Sequence, residues 1–132
     1  MNVLIVDDDE DIREAVAEIV RDLGFQPKMC SNGIEALKSL ESGEYLLMFL
    51  DLIMPEMGGV ETLSEIKKKG IEINTVVLSG HFSKDVKDHC KKYGAKRFLE
   101  KPVESSDIEV ILKSESKRNK SYENQAIDDV FS

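Results

Sequence analysis

Val3-Leu4-Ile5-Val6-Asp7-Asp8-Asp9 is an apolar run closed by three acids. A second run, Leu46-Leu47-Met48-Phe49-Leu50, is closed by Asp51. Unbroken apolar runs of this length suit strands buried on both faces of a parallel sheet. Acids at the ends of such strands gather at the carboxyl edge, where open α/β sheets bind their ligands. Gathered carboxylates repel one another and need a cation. The two runs therefore predict a magnesium site.

Around these runs, strand and helix patterns alternate five times. The expected strands are Asn2–Asp7, Phe25–Cys30, Tyr45–Asp51, Thr75–Ser79 and Arg97–Glu100. The first helix places Ile12, Ala15, Val16, Ile19, Val20 and Leu23 on one face, with Gly24 as its stop. Asn32 and Glu35 resemble a capping box, opening a helix with Ile34, Leu37 and Leu40 inward. Val60, Leu63 and Ile66 mark a third helix; Lys67-Lys68-Lys69 suits its negative end and Gly70 closes it. Ser83 to Tyr93 is a fourth, with only Val86, Cys90 and Tyr93 as an apolar stripe and Gly94 as its stop. Ser106 and Glu109 open a fifth with Ile108, Ile111 and Leu112 inward. Pro27 confines the second strand to an edge. Right-handed crossovers then give an α/β fold, a flavodoxin-like, doubly wound five-stranded parallel sheet of order 2-1-3-4-5 with helices on both faces.

The chain has 132 residues, one domain by size. The domain is expected over 1–113. At Ser114 the composition turns to Ser, Lys, Asn, Glu and Gln, so 114–132 reads as a flexible polar tail or linker, disordered or loosely helical. Ile127, Val130 and Phe131 have helical spacing, which leaves a short docking helix open. No run reaches membrane-spanning length and no signal peptide precedes the first strand, so a cytoplasmic protein without membrane insertion is expected. A net charge of −8 argues against direct nucleic-acid binding. Cys30 and Cys90 have no metal-ligand spacing and read as cytosolic thiols.

Four strand ends now carry chemistry: Asp7-Asp8, Asp51 (followed by Met54-Pro55 and Gly58-Gly59), Ser79-Gly80 and Lys101-Pro102. In this order they resemble the receiver domain of two-component response regulators, chemotaxis-regulator-like, over about residues 2–113. The resemblance implies that Asp51 accepts a phosphoryl group from a histidine kinase or a histidine phosphotransfer protein. Asp8, Asp51 and the backbone carbonyl of Ile53 would bind Mg²⁺, for which Mn²⁺ can substitute. Asp7 would sit behind the metal or pair with Lys101, and Lys101 would neutralise a phosphoryl oxygen. Pro102 would set the lysine's loop through a cis bond. Ser79 would move onto the phosphoryl group and Phe98 would swing inward behind it. The face formed by helix four, strand five and helix five would then meet a protein target or a second copy. The resemblance further implies a phosphoprotein carrying aspartyl phosphate in phosphorelay signal transduction, with no conventional enzyme activity beyond self-phosphotransfer and auto-dephosphorylation.

Plainer readings stand beside these. Asp9, Glu10 and Asp11 are first-turn helix acids. His81 and His89 are surface residues, because two separated imidazoles make a poor transition-metal site. Met57-Gly58-Gly59 departs from the family pattern, and its added glycine should loosen the loop. Ile53 offers no polar side chain for a hydrolytic water, which predicts a long-lived phosphoryl group; His81 could offset this by binding water. Ile53 also stands where a haloacid-dehalogenase-like phosphatase needs a second aspartate. A flavodoxin-like carrier is disfavoured because Asp7–Asp11 would repel its phosphate. The expectation is a single-domain phosphorylation switch. The alternatives are a phosphate-independent interaction module and a receiver fragment of a multidomain transcriptional regulator.

Overall fold

The computed structural model describes residues 1–131, with side chains described for 1–118. Five strands, β1 (Asn2–Val6), β2 (Gln26–Cys30), β3 (Leu47–Asp51), β4 (Thr75–Ser79) and β5 (Arg97–Glu100), alternate with five helices. These are α1 (Glu10–Asp22), α2 (Gly33–Ser42), α3 (Gly59–Lys68), α4 (Lys84–Lys92) and α5 (Ser105–Phe131). All pairings are parallel and the order is β2-β1-β3-β4-β5, as the sequence predicts. Pro27 lies on the edge strand, where its missing N–H costs no ladder bond.

Side-chain parity along the strands builds two cores. Leu4, Val6, Met48, Leu50 and Val77 face Ala36, Leu37 and Leu40 of α2, Leu63 and Ile66 of α3, and Cys90 of α4. Val3, Ile5, Leu47, Phe49, Val76 and Leu78 face Val16, Ala17 and Val20 of α1 and Ile108, Ile111 and Leu112 of α5. Burying each such side chain contributes roughly 1.5–3 kcal/mol, so neither face can be left open.

The starts of α1, α2 and α4 lie beside the carboxyl edge and are capped by side chains. Asp9 Oδ1 accepts from the N–H groups of Asp11 and Ile12 at 3.0 and 3.3 Å. Asn32 Oδ1 accepts from Glu35 N–H at 2.9 Å, and Ser83 Oγ from Val86 N–H at 3.2 Å. Gly24, Gly70 and Gly94 follow the ends of α1, α3 and α4 with φ of +91°, +69° and +98°, the left-handed conformation that favours glycine.

Several details differ from the sequence reading. Ala17, not Ala15, is buried on α1, and Ile34 of α2 is exposed while Ala36 takes its inward place. The expected reciprocal half of the Asn32 box goes to Ser31 instead, whose N–H donates to Glu35 Oε2 at 2.6 Å. Ser106 lies inside the first turn of α5, whose Glu109 pairs with Lys113 at 2.6 Å. The backbone past Ser114 continues as helix to Phe131. The side chains of Ile127, Val130 and Phe131 lie outside the described residues. What holds the start of this extension is Glu115, buried at the foot of the sheet. Its carboxylate accepts from Arg97 at 2.7 Å and Asn74 at 2.8 Å, so its charge is paired rather than stranded.

Candidate functional site

Parallel strands bring their carboxyl ends to one edge, and that edge collects the predicted residues. Asp7 follows β1, Asp51 and Ser79 end β3 and β4, and Lys101 follows β5. The ladder extends into the loops: Asp7 N–H donates to Cys30 C=O at 3.1 Å, and Lys101 N–H to Ser79 C=O at 2.8 Å. The Lys101–Pro102 bond is cis.

Lys101 Nζ stands 3.0 Å from Asp7 Oδ2 and 3.1 Å from Asp51 Oδ1. Both acids are buried, and one ammonium cannot neutralise two carboxylates. Burial first, then the charge of Asp7, push the Asp51 carboxyl up to about 6, against Lys101 and the Ile53 N–H, which pull it down. Burial pulls Lys101 the other way, but the adjacent carboxylates of Asp7 and Asp51 hold it above the usual lysine value. Asp7 Oδ2 meets the ammonium at ion-pair distance without hydrogen-bond alignment and has no hydrogen-bond partner.

Asp8 is exposed beside this pair, and ligand atoms of Asp7, Asp8 and Asp51 lie within 4.8 Å of one another. An all-oxygen cluster with surplus negative charge fits a hard divalent cation. Asp9 stands outside it, as α1 cap, and its N–H donates to Asp7 Oδ1 at 3.0 Å.

Two expected switch residues are placed near but not on the acids. Ser79 Oγ donates to His81 C=O at 2.9 Å, within its own loop. Phe98 is half-buried, edge-to-face with Phe82 at 5.4 Å between ring centres, under the ammonium groups of Lys87 and Lys91. Ile53 is 79% exposed, so its side chain shields nothing at the site.

Gly59 of this loop has a packing role. A Cβ on Gly59 would lie 2.6 Å from the Asp51 carbonyl, so this glycine permits a close approach of α3 to the Asp51 backbone. Thr62 Oγ1 donates to Gly58 C=O at 2.7 Å, tying the loop to α3. The left-handed residue here is Glu56, with φ of 67°.

Sequence reasoning missed Arg13. Its guanidinium donates to the Asp7 carbonyl at 2.7 Å and holds the acidic loop from α1. The available signal was a cation one turn into the helix that the acids open.

A family model, the response regulator receiver domain, matches residues 3–113. A putative NtrX-like response regulator of Rickettsia bellii is 36% identical over 115 residues, 86% of this chain and 24% of that protein. The chain thus spans about a quarter of the length of the first such relatives. The receiver domain of NtrX from Brucella abortus has a TM-score of 0.77 at 30% identity, over 86% of this chain and 96% of that one. The receiver domain of a putative Luxo repressor protein from Vibrio parahaemolyticus has a TM-score of 0.83 at 26% identity, over 92% and 94%. No helix among the described residues is long and apolar enough to cross a membrane. By the family match, the strand order and the clustered acids, the chain belongs to the response regulator receiver domains of two-component systems, signalling domains rather than conventional enzymes.

Proposed function

We propose that this receiver is a phosphorylation-dependent switch in the cytoplasm, taking a phosphoryl group onto Asp51 from a histidine kinase or histidine phosphotransfer protein. The observation that carries the reading is one ammonium, Lys101 Nζ, held within 3.1 Å of two buried carboxylates at a strand edge. An Asp51 oxygen attacks phosphorus, the P–N bond to the donor imidazole breaks, and the imidazole leaves with the bonding pair. Such transfers need positioning and charge more than covalent help. Asp8, Asp51 and the Ile53 carbonyl would hold Mg²⁺, or Mn²⁺ in its place, which would supply positive charge against the phosphoryl oxygens. Asp7 orients this centre from behind. Lys101 pairs with a further phosphoryl oxygen, in a loop set by Pro102.

The readout follows from the loop beyond β4. Ser79 exchanges its bond to His81 for one to the phosphoryl group, and Phe98 moves into the space behind it. The phosphoryl group acts by binding this arrangement better than the other. Helix α4 buries only Cys90, so it is weakly anchored and easily shifted. The face of α4, β5 and α5 then meets a downstream protein or a second copy. Such contact is the output we assign to the receiver domain itself. A second reading, the receiver part of a longer transcriptional regulator, is favoured by the length of the relatives.

Acetyl phosphate or a phosphorylated kinase, with Mg²⁺, should label the protein, and Asp51→Asn should take no label while staying folded. Persistent labelling of that variant moves the acceptor elsewhere. Failure of the unaltered protein to take label favours a phosphate-independent interaction module.

A further inference from the structure

The opposite end of the sheet carries a feature that the phosphoacceptor edge does not use. A groove of about 610 Å³ opens at the foot of the sheet, between the C-terminal ends of α3 and α4. Its floor includes Ile66 and Ile73, and Tyr45 and Tyr93 stand half-buried in its walls. Lys67, Lys91, Lys92 and Lys96 line it, with Glu72 as a facing acid. Lys67 Nζ donates to the Lys92 carbonyl at 2.9 Å, bridging the two helix ends. Among the described residues, none of the four lysines has a carboxylate within ion-pair distance. From Lys67 to Arg97 the chain holds nine basic residues against three acids, in a protein of net charge −8. The groove is thus an aromatic and aliphatic trough with a cationic rim. Its complement is an acidic segment with apolar residues at helical spacing.

The chain contains such a segment. Residues 121–132, Ser-Tyr-Glu-Asn-Gln-Ala-Ile-Asp-Asp-Val-Phe-Ser, place Ile127, Val130 and Phe131 at helical spacing beside Glu123, Asp128 and Asp129. Helix α5 is held at the same foot of the sheet by Glu115 and is continuous to Phe131. The residues past Arg118 span about 20 Å at 1.5 Å per residue. An unbroken helix of that length cannot turn back onto its own domain, but it can reach another molecule.

We propose that the groove between the ends of α3 and α4 receives the acidic C-terminal segment of a second copy of this chain, joining two receivers foot to foot. The apolar residues of the segment meet the trough and its aspartates meet the lysines. This contact lies away from the phosphoacceptor edge and does not depend on phosphorylation.

The test uses the full chain alone, without added ligand, its mass measured in solution by light scattering across concentration at low and high salt. A concentration-dependent dimer that weakens with salt is expected. Lys92→Glu/Lys96→Glu and Asp128→Lys/Asp129→Lys should each weaken it about tenfold or more, since attraction at two rim sites becomes repulsion. Combining the two reversals should restore much of the loss. Circular dichroism checks that each variant is folded. A chain that stays monomeric overturns the proposal, as does a dimer that either reversal leaves unchanged. Rim protection from hydrogen exchange that depends on the aspartates in a monomer would assign the groove to the chain's own segment instead.

Discussion

Removing the charge of Asp51 should stabilise the protein when no divalent cation is present. The carboxyl ordinarily titrates at 3.8 and is pushed up to about 6 in the fold. Between these values the folded state keeps a proton that the unfolded chain has released. Stability from this group therefore falls as pH rises through that window, and the cost is complete above it. At 1.36 kcal/mol per pH unit, the ionised form costs roughly 3 kcal/mol at neutral pH. Asn replaces a carboxylate imperfectly, and Lys101 keeps its contact with Asp7 at 3.0 Å. Asp51→Asn should then gain about 1–3 kcal/mol at pH 7 and close to nothing near pH 4. Urea unfolding in chelator should read this as a midpoint shift of roughly 1 M at neutral pH. An equal gain at both pH values, or a loss at pH 7, would refute the picture of a repelling, under-neutralised pair.

Other outcomes follow from the same geometry. Mg²⁺ at ten times its dissociation constant should stabilise the folded chain by about 1.4 kcal/mol, seen as a rise in melting temperature, and Asp51→Asn should remove most of that rise. No rise at millimolar metal would count against the cation centre. Gly59→Ala should destabilise by about 1–3 kcal/mol and slow phosphate uptake, because its methyl group meets the Asp51 carbonyl; thermal unfolding and acetyl phosphate labelling would show both. Glu56→Gly should raise stability by up to about 1 kcal/mol, since φ of 67° strains a side chain bearing a Cβ. Ile53→Asn should shorten the life of the phosphorylated state by positioning water; a slower release in the variant would contradict the role given to this position.

Much of the site is legible without coordinates because strand ends are one-dimensional signals. A run such as Val3–Val6 says where a strand stops, and parallel pairing then puts every stop at one edge. Asp7, Asp51, Ser79 and Lys101 are found in this way. Helix faces are less determinate. On α1, Ala15 and Ala17 each lie about 100° around from Val16, on opposite borders of the stripe. Which border is buried depends on the neighbouring elements, and here Ala17 wins. Ile34 stands similarly off the centre of the α2 stripe and is left exposed. Arg13 and Glu115 were invisible as partners because charged residues on helices usually face water. Only the sheet's position turns one toward the Asp7 carbonyl and buries the other between Asn74 and Arg97.

By itself, the order of residues determined the alternation of elements, the edge position of β2 and the identity of the acids and lysine at the strand ends. These depend on hydrophobic period and on proline's missing donor, which are local properties. The tertiary structure alone decided that Lys101 is shared between Asp7 and Asp51, that Gly59 admits α3 against the Asp51 backbone, and that a lysine-rimmed groove opens at the far end. Distances of this kind arise only when segments far apart in the chain are packed together, and charge and steric effects act through space rather than along the backbone.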